Sequence, residues 1–232
     1  MNEAKLQELA VSLGTPAFVF DTDILAERAK WIADTIHPAK LCFAMKANPF
    51  LVKALDGYVE RYEVCSPGEF HICVQNELDM EKIVLSGVNK EYEDVRYAME
   101  QGVRHYTAES VSQFYLVERC ADALDKKVEI LLRVTSGNQF GMSEGDIWGL
   151  IHERNFHPRL EIRGLQYFTG TQKKVIKKIA SEVEYIEGLI HRLEAEEGFV
   201  TRELEFGPGL GVPYFTKDDF SEDRSLLEAF ME

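Results

Sequence analysis

Apolar positions along the chain follow two alternating rhythms. Short apolar-rich runs fall at 40–45, 61–65, 82–85, 104–107, 128–134, 161–168 and 203–206. Between them lie longer stretches, at about 49–56, 68–77, 91–101, 109–124, 143–154 and 172–197, in which apolar residues return every third and fourth position. The first rhythm predicts strands and the second amphipathic helices. The last helix is the clearest: Val175, Ile176, Ile179, Val183, Ile186, Ile190 and Leu193 share one face, and charged residues cover the other. Upstream, Leu6, Leu9, Ala10 and Leu13 make a helical stripe that stops at Gly14. Residues 16–20 read as a strand, and Asp21 and Thr22 as caps of a helix through Ile36. The acidic tail at 218–232 reads as an amphipathic helix presenting Phe220, Leu226, Leu227, Phe230 and Met231.

Strands separated by helices of this length predict parallel β-α-β units. The pattern is compatible with a (β/α) barrel or with an open doubly wound sheet, and alone does not choose. In both, ligands bind at the carboxyl ends of the strands. No linker, low-complexity tract or internal repeat interrupts the units.

At 232 residues the chain has room for one large domain, or one domain and a fragment. A net charge of -14 argues against a nucleic-acid surface, which needs clustered Lys and Arg. No apolar run is long enough to cross a bilayer, and the first residues lack a secretory apolar core, so a cytoplasmic location is expected. Cys42, Cys65, Cys73 and Cys120 lack Cys-x-x-Cys spacing and read as buried reduced thiols. The six histidines show no metal-ligand spacing, so no metal is expected.

The residues that follow each strand carry the chemistry. Lys46 ends the run Cys42-Phe43-Ala44-Met45, before Asn48-Pro49. It is either a lysine whose stem packs while its head reaches water, or one whose amine is used in a Schiff base. The second strand holds Glu63 and leads into Cys65-Ser66-Pro67-Gly68-Glu69. Glu69 suits the first turn of a helix. Arg133, inside an apolar strand, needs a partner, and Glu63 is the candidate. The sixth strand ends in Phe168-Thr169-Gly170-Thr171, and the seventh in Gly207-Pro208-Gly209-Leu210-Gly211. Glycines there let backbone N–H groups approach an anion, although a tight turn needs the same residues. Two such loops in succession favour a phosphate, and with the lysine they point to pyridoxal phosphate.

Together these motifs resemble the fold-type III pyridoxal-phosphate decarboxylases, the group of diaminopimelate, ornithine, arginine and carboxynorspermidine decarboxylases. Phe43-Ala44-Met45-Lys46-Ala47-Asn48 is similar to the family's cofactor-lysine strand. Tyr62-Glu63-Val64-Cys65-Ser66-Pro67-Gly68-Glu69, Gln139-Phe140-Gly141-Met142, Phe168-Thr169-Gly170-Thr171-Gln172 and the stretch from Gly207 to Tyr214 resemble its later motifs, in the same order. The resemblance implies an α/β fold, a (β/α)₈ TIM-type barrel, with Lys46 as the lysine that takes the cofactor. Around it, the implied cofactor-binding residues are Glu63, Arg133, Phe168, Thr171, Gly207, Gly209 and Gly211. It implies decarboxylation of a basic or diamino acid, of diaminopimelate or carboxynorspermidine type.

The sequence departs from the family at four points. Phe168 stands where a histidine is usual, Gln139 where a lysine is, and Pro208 where a glycine is, which removes a backbone donor. The eighth strand, with its Glu-Pro-Gly-Arg motif, and the C-terminal β-domain are not found in these residues. The expected division is therefore residues 1–20, a helix and strand that normally pair with the β-domain, and residues 21–232, the barrel portion. An incomplete barrel exposes strand edge, so a homodimer or a complementing C-terminal chain is expected. The alternative reading is a catalytically silent relative that binds the cofactor or a partner.

Overall fold

The computed structural model describes residues 3–212 and 221–232. Pro213, Tyr214, Asp218 and Phe220, assigned above to the glycine-rich motif and the tail helix, lie outside them. Seven strands form one sheet: β1 Cys42–Ala44, β2 Arg61–Val64, β3 Ile83–Leu85, β4 His105–Ala108, β5 Val128–Val134, β6 Leu160–Phe168 and β7 Glu203–Gly207. All neighbours are parallel, and the strand order is the sequence order.

That order decides between the two architectures. A doubly wound sheet reverses its strand order at a switch point. Here the order never reverses, so every crossover turns the same way and the helices collect on one face. The other face curls inward. Arg61 Nη1 on β2 lies 2.9 Å from Glu203 Oε1 on β7. In a flat sheet those strands would stand about 24 Å apart at the usual strand spacing. The seven strands are therefore the wall of a parallel (β/α) barrel.

The helices are α1 Glu3–Leu13, α2 Thr22–Ile36, α3 Val52–Leu55, α4 Pro67–Gln75, α5 Tyr92–Glu100, α6 Val111–Ala123, α7 Glu144–His152, α8 Ile176–Glu197 and α9 Ser221–Met231. Their starts follow local chemistry. Asp21, Ser66, Ser110 and Ser143 each accept a first-turn N–H through the side chain, worth about 1 kcal/mol per cap. Alternation along the strands sorts the side chains. Tyr62, Val64, Tyr106, Ile130, Leu132 and Leu165 are buried against Phe70, Met99, Phe114, Val117, Ile147 and Leu189 of the helices. The residues between them turn into the barrel and are largely polar: Arg61, Glu63, Thr107, Arg133, Gln166 and Glu205.

Two expectations fail. Residues 17–20 are not a strand; they are irregular, with Phe18 97% exposed. Among the described residues they pair with no strand, and an apolar run without a partner does not hold an extended ladder. The long helix starts at Ile176 and not at 172, because Lys173 pairs its backbone with Gly209 and Gly211 instead. Val175 is accordingly exposed. No helix among the described residues is long and apolar enough to cross a membrane.

Candidate active site

The site lies where the strands end. β1 stops at Ala44, and Met45–Ala47 form a single 3-10 turn. Met45 is fully buried and anchors the turn, while its Sδ takes a 3.2 Å contact from Cys73 Sγ. Asn48 closes the turn by accepting from Phe50 N at 3.2 Å. This fixes the Lys46 backbone and leaves its side chain about half exposed (52%) at the barrel mouth. Lys46 Nζ lies 3.5 Å from Glu63 Oε2 and 5.4 Å from the centre of the Phe168 ring. The second distance is within cation–π range. The head group thus meets Glu63 at the end of the neighbouring strand and, across the barrel, Phe168 at the end of β6.

Phe168 joins the lysine to the glycine loop. Its ring packs on Gly207 so closely that a Cβ there would sit 2.7 Å from Phe168 Cδ2. Beyond it, the loops after β6 and β7 touch. A Cβ on Gly209 would meet Gly170 O at 1.8 Å and Thr171 Cα at 3.3 Å, and Gly209 has φ +66°. Only glycine combines that backbone with that approach. Gly211 N donates to Lys173 O at 2.8 Å, so it holds the loop and does not face an anion. Thr171 is exposed at the same rim.

Arg133 corrects an expectation. Its partner is Glu109 on the loop after β4, Nη1 to Oε2 2.5 Å, and not Glu63. Glu109 is buried and Arg133 partly so, and the Arg133 guanidinium stands 5.1 Å from the centre of the Phe140 ring. Glu63 instead accepts from Gln166 Nε2 at 3.1 Å, and the same nitrogen donates to Glu205 Oε1 at 2.6 Å. Burial, reinforced by the Glu63 carboxylate, pushes Glu205 up to about 7. Glu69 braces the turn after β2 by accepting from Cys65 N at 2.8 Å. Gln139 is exposed on the loop after β5.

Sequence reasoning missed Glu109, Gln166, Glu205, Lys90 and Lys173. Lys90 donates to Gly87 O at 2.6 Å and to Gln113 Oε1 at 3.1 Å. Burial brings it down to about 8. Gln166 and Glu205 did carry a signal: each is a polar residue between two large apolar ones near the carboxyl end of its strand. Cys65, near Glu63, is pushed up to about 12, first by burial and then by that carboxylate, which favours the protonated thiol at neutral pH.

An amine beside a carboxylate, an aromatic face next to it and two interlocked glycine loops beyond define a barrel with a ligand site at its strand ends. They fit an aldehyde-bearing aromatic ring with a phosphate tail: Lys46 would hold the aldehyde end, Phe168 the ring, and the loops at Gly170 and Gly207–Gly209 the phosphate.

Residues 22–231 match the family model described as pyridoxal-dependent decarboxylase, pyridoxal binding domain. The chain belongs to this family, the fold-type III decarboxylases whose cofactor is pyridoxal phosphate. It is 30% identical to a diaminopimelate decarboxylase of Zymomonas mobilis subsp. mobilis, covering 100% of this chain and 59% of that one. With a diaminopimelate decarboxylase of Aquifex aeolicus it shares 28% identity over 96% of this chain and 57% of the relative. Among solved structures, AQ1208 from Aquifex aeolicus superposes with a TM-score of 0.81 at 28% identity, over 97% of this chain and 57% of that one. The structure of SrLDC in complex with PLP and cadaverine shares the fold at 20% identity and TM-score 0.84, over 100% of this chain and 60% of that one. The chain spans somewhat over half the length of these relatives.

Proposed function

We infer that this chain is the cofactor-binding barrel portion of an amino-acid decarboxylase acting on a basic or diamino acid. The diaminopimelate decarboxylases among its relatives favour diaminopimelate over a carboxynorspermidine-type substrate. One observation carries the reading: Lys46, Glu63, Phe168 and the Gly207 loop form an unbroken line at the barrel mouth. When bound, pyridoxal phosphate supplies the electron sink that makes loss of the substrate carboxylate feasible. The residues of the chain do the rest. Lys46 offers the amine, and the Glu63 carboxylate balances positive charge on that nitrogen. Gln166 holds Glu63 in place from β6. Phe168 provides a stacking face and Gly207 lets that face lie flat against the loop. The Arg133–Glu109 pair keeps one wall charged yet neutral overall.

The reading is tested by incubation with pyridoxal phosphate, borohydride reduction and peptide mapping. A pyridoxyl group on Lys46 is expected, absent in Lys46→Ala. Label spread over surface lysines, with Lys46 unmodified, would overturn it. A second reading, a silent cofactor binder, draws on Phe168, which neither titrates nor hydrogen-bonds, and on Pro208, which has no N–H to give. It predicts Lys46 labelling without CO₂ release from any diamino acid by the intact protein.

The same reading divides the chain near residue 20, in keeping with α1, which buries no residue, and extends to a cytoplasmic protein. It also includes a second copy or a complementing chain that covers Leu13, Phe18 and Phe20, all exposed. Sedimentation as a monomer at all concentrations would count against that cover.

A further inference from the structure

We propose that Lys173 is a positioning residue of the phosphate cradle: its ammonium staples the loop after β6 to the loop after β7. The proposal rests on the cofactor reading above. Lys173 is 8% exposed, an uncommon place for a lysine. Its Nζ donates to Thr169 Oγ1 in the first loop, to Pro208 O in the second at 3.1 Å, and to Glu182 Oε2 on α8 at 2.6 Å. The backbone of the same residue repeats the link: Lys173 N donates to Gly209 O at 2.9 Å and Gly211 N to Lys173 O at 2.8 Å. Gln172 Oε1 accepts from Val212 N at 3.1 Å, a further tie between the two segments.

These bonds orient donors. In a trans peptide the C=O and the following N–H point in opposite directions. With the Pro208 carbonyl held on the ammonium, the N–H of Gly209 is directed to the other side of the loop, away from Lys173. Thr169 accepts from the ammonium, so its own hydroxyl proton is left to donate. Pro208 has already removed one backbone donor from this loop, which makes the direction of the remaining one decisive. A neutral side chain of equal length would fill the space but reach none of the three oxygens. Glu182 balances the charge, so the staple acts through geometry and adds little net attraction for an anion.

The ligand class is therefore a phosphate monoester, and the test compares pyridoxal phosphate with pyridoxal, which lacks the phosphate. Binding is read as the borohydride-trapped fraction on Lys46 against ligand concentration, with inorganic phosphate as competitor. The wild type should prefer pyridoxal phosphate. Lys173→Met should lose roughly tenfold in affinity for it, the scale of one hydrogen bond, with pyridoxal binding unchanged. Lys173→Arg, which keeps the charge, should recover part of the preference. Should Lys173→Met fail to fold, the apolar pair Lys173→Met/Glu182→Met removes the stranded carboxylate and serves in its place. A wild-type preference in the Met variants overturns the staple alone, and so does equal weakening of both ligands. No trapping on Lys46 in the wild type overturns the cofactor reading, and the staple with it.

Discussion

Glu205→Gln isolates the proton that the barrel interior holds at neutral pH. Glu205 is raised from an ordinary 4.5 to about 7, first by burial and next by Glu63, with which it shares the Gln166 amide. Glu203 adds to the rise, while Gln166 and Arg61 oppose it. The sign follows from proton counting. Between 4.5 and 7 the folded chain keeps a proton that the unfolded chain has released. Stability is thus full below the unfolded value and falls as pH rises through the folded one. The loss is about 1.4 kcal/mol per pH unit within that window and about 3 kcal/mol in all. Glutamine cannot ionise, so the variant lacks this slope. The assay is urea denaturation of both proteins from pH 4.5 to pH 8, roughly the window of the titration. The difference in unfolding free energy should grow with pH in favour of Glu205→Gln. In a Glu63→Gln background the loss should end at a lower pH and be smaller in total for the wild-type Glu205, since the neighbouring charge that raises its folded value is gone. A pH-independent difference between the wild type and the Glu205→Gln variant would refute the argument.

Two further perturbations test the site geometry. Arg133→Met strands Glu109, whose side chain is 4% exposed, and should cost about 3–5 kcal/mol in denaturant titration. The double change Arg133→Met/Glu109→Met should regain most of that loss. Gly209→Ala must relieve a 1.8 Å contact with Gly170 O at φ +66°. It should cost about 1–2 kcal/mol in backbone strain alone and, by parting the two loops, abolish the preference for pyridoxal phosphate over pyridoxal, as measured by trapping.

Much of this protein was legible one element at a time. Short apolar-rich runs between helical stretches marked the strands, and the observed β5 matches its predicted bounds, because such runs are a local property of the chain. Glu69 after Pro67-Gly68 marked the start of α4 for the same reason, while the Ser66 cap came with the structure. Lys46, Glu63, Phe168 and the glycines could be singled out as candidates because a parallel sheet puts every strand end at one mouth, whatever its strand order.

Partnership was not legible. Arg133 and Glu109 stand 24 residues apart, and Glu63 and Gln166 stand 103 apart. Which carboxylate each meets depends on how far the sheet curls, and no short stretch of sequence encodes curvature. The run at 16–20 shows the converse: a strand-like pattern remains irregular where no neighbouring edge receives it. The residue chemistry was therefore set along the chain, locally. The choice of barrel over open sheet, the pairing of Arg133, the proton on Glu205 and the burial of Lys173 came only with tertiary structure, because each depends on contacts between segments distant in sequence that the packed, curled sheet brings together.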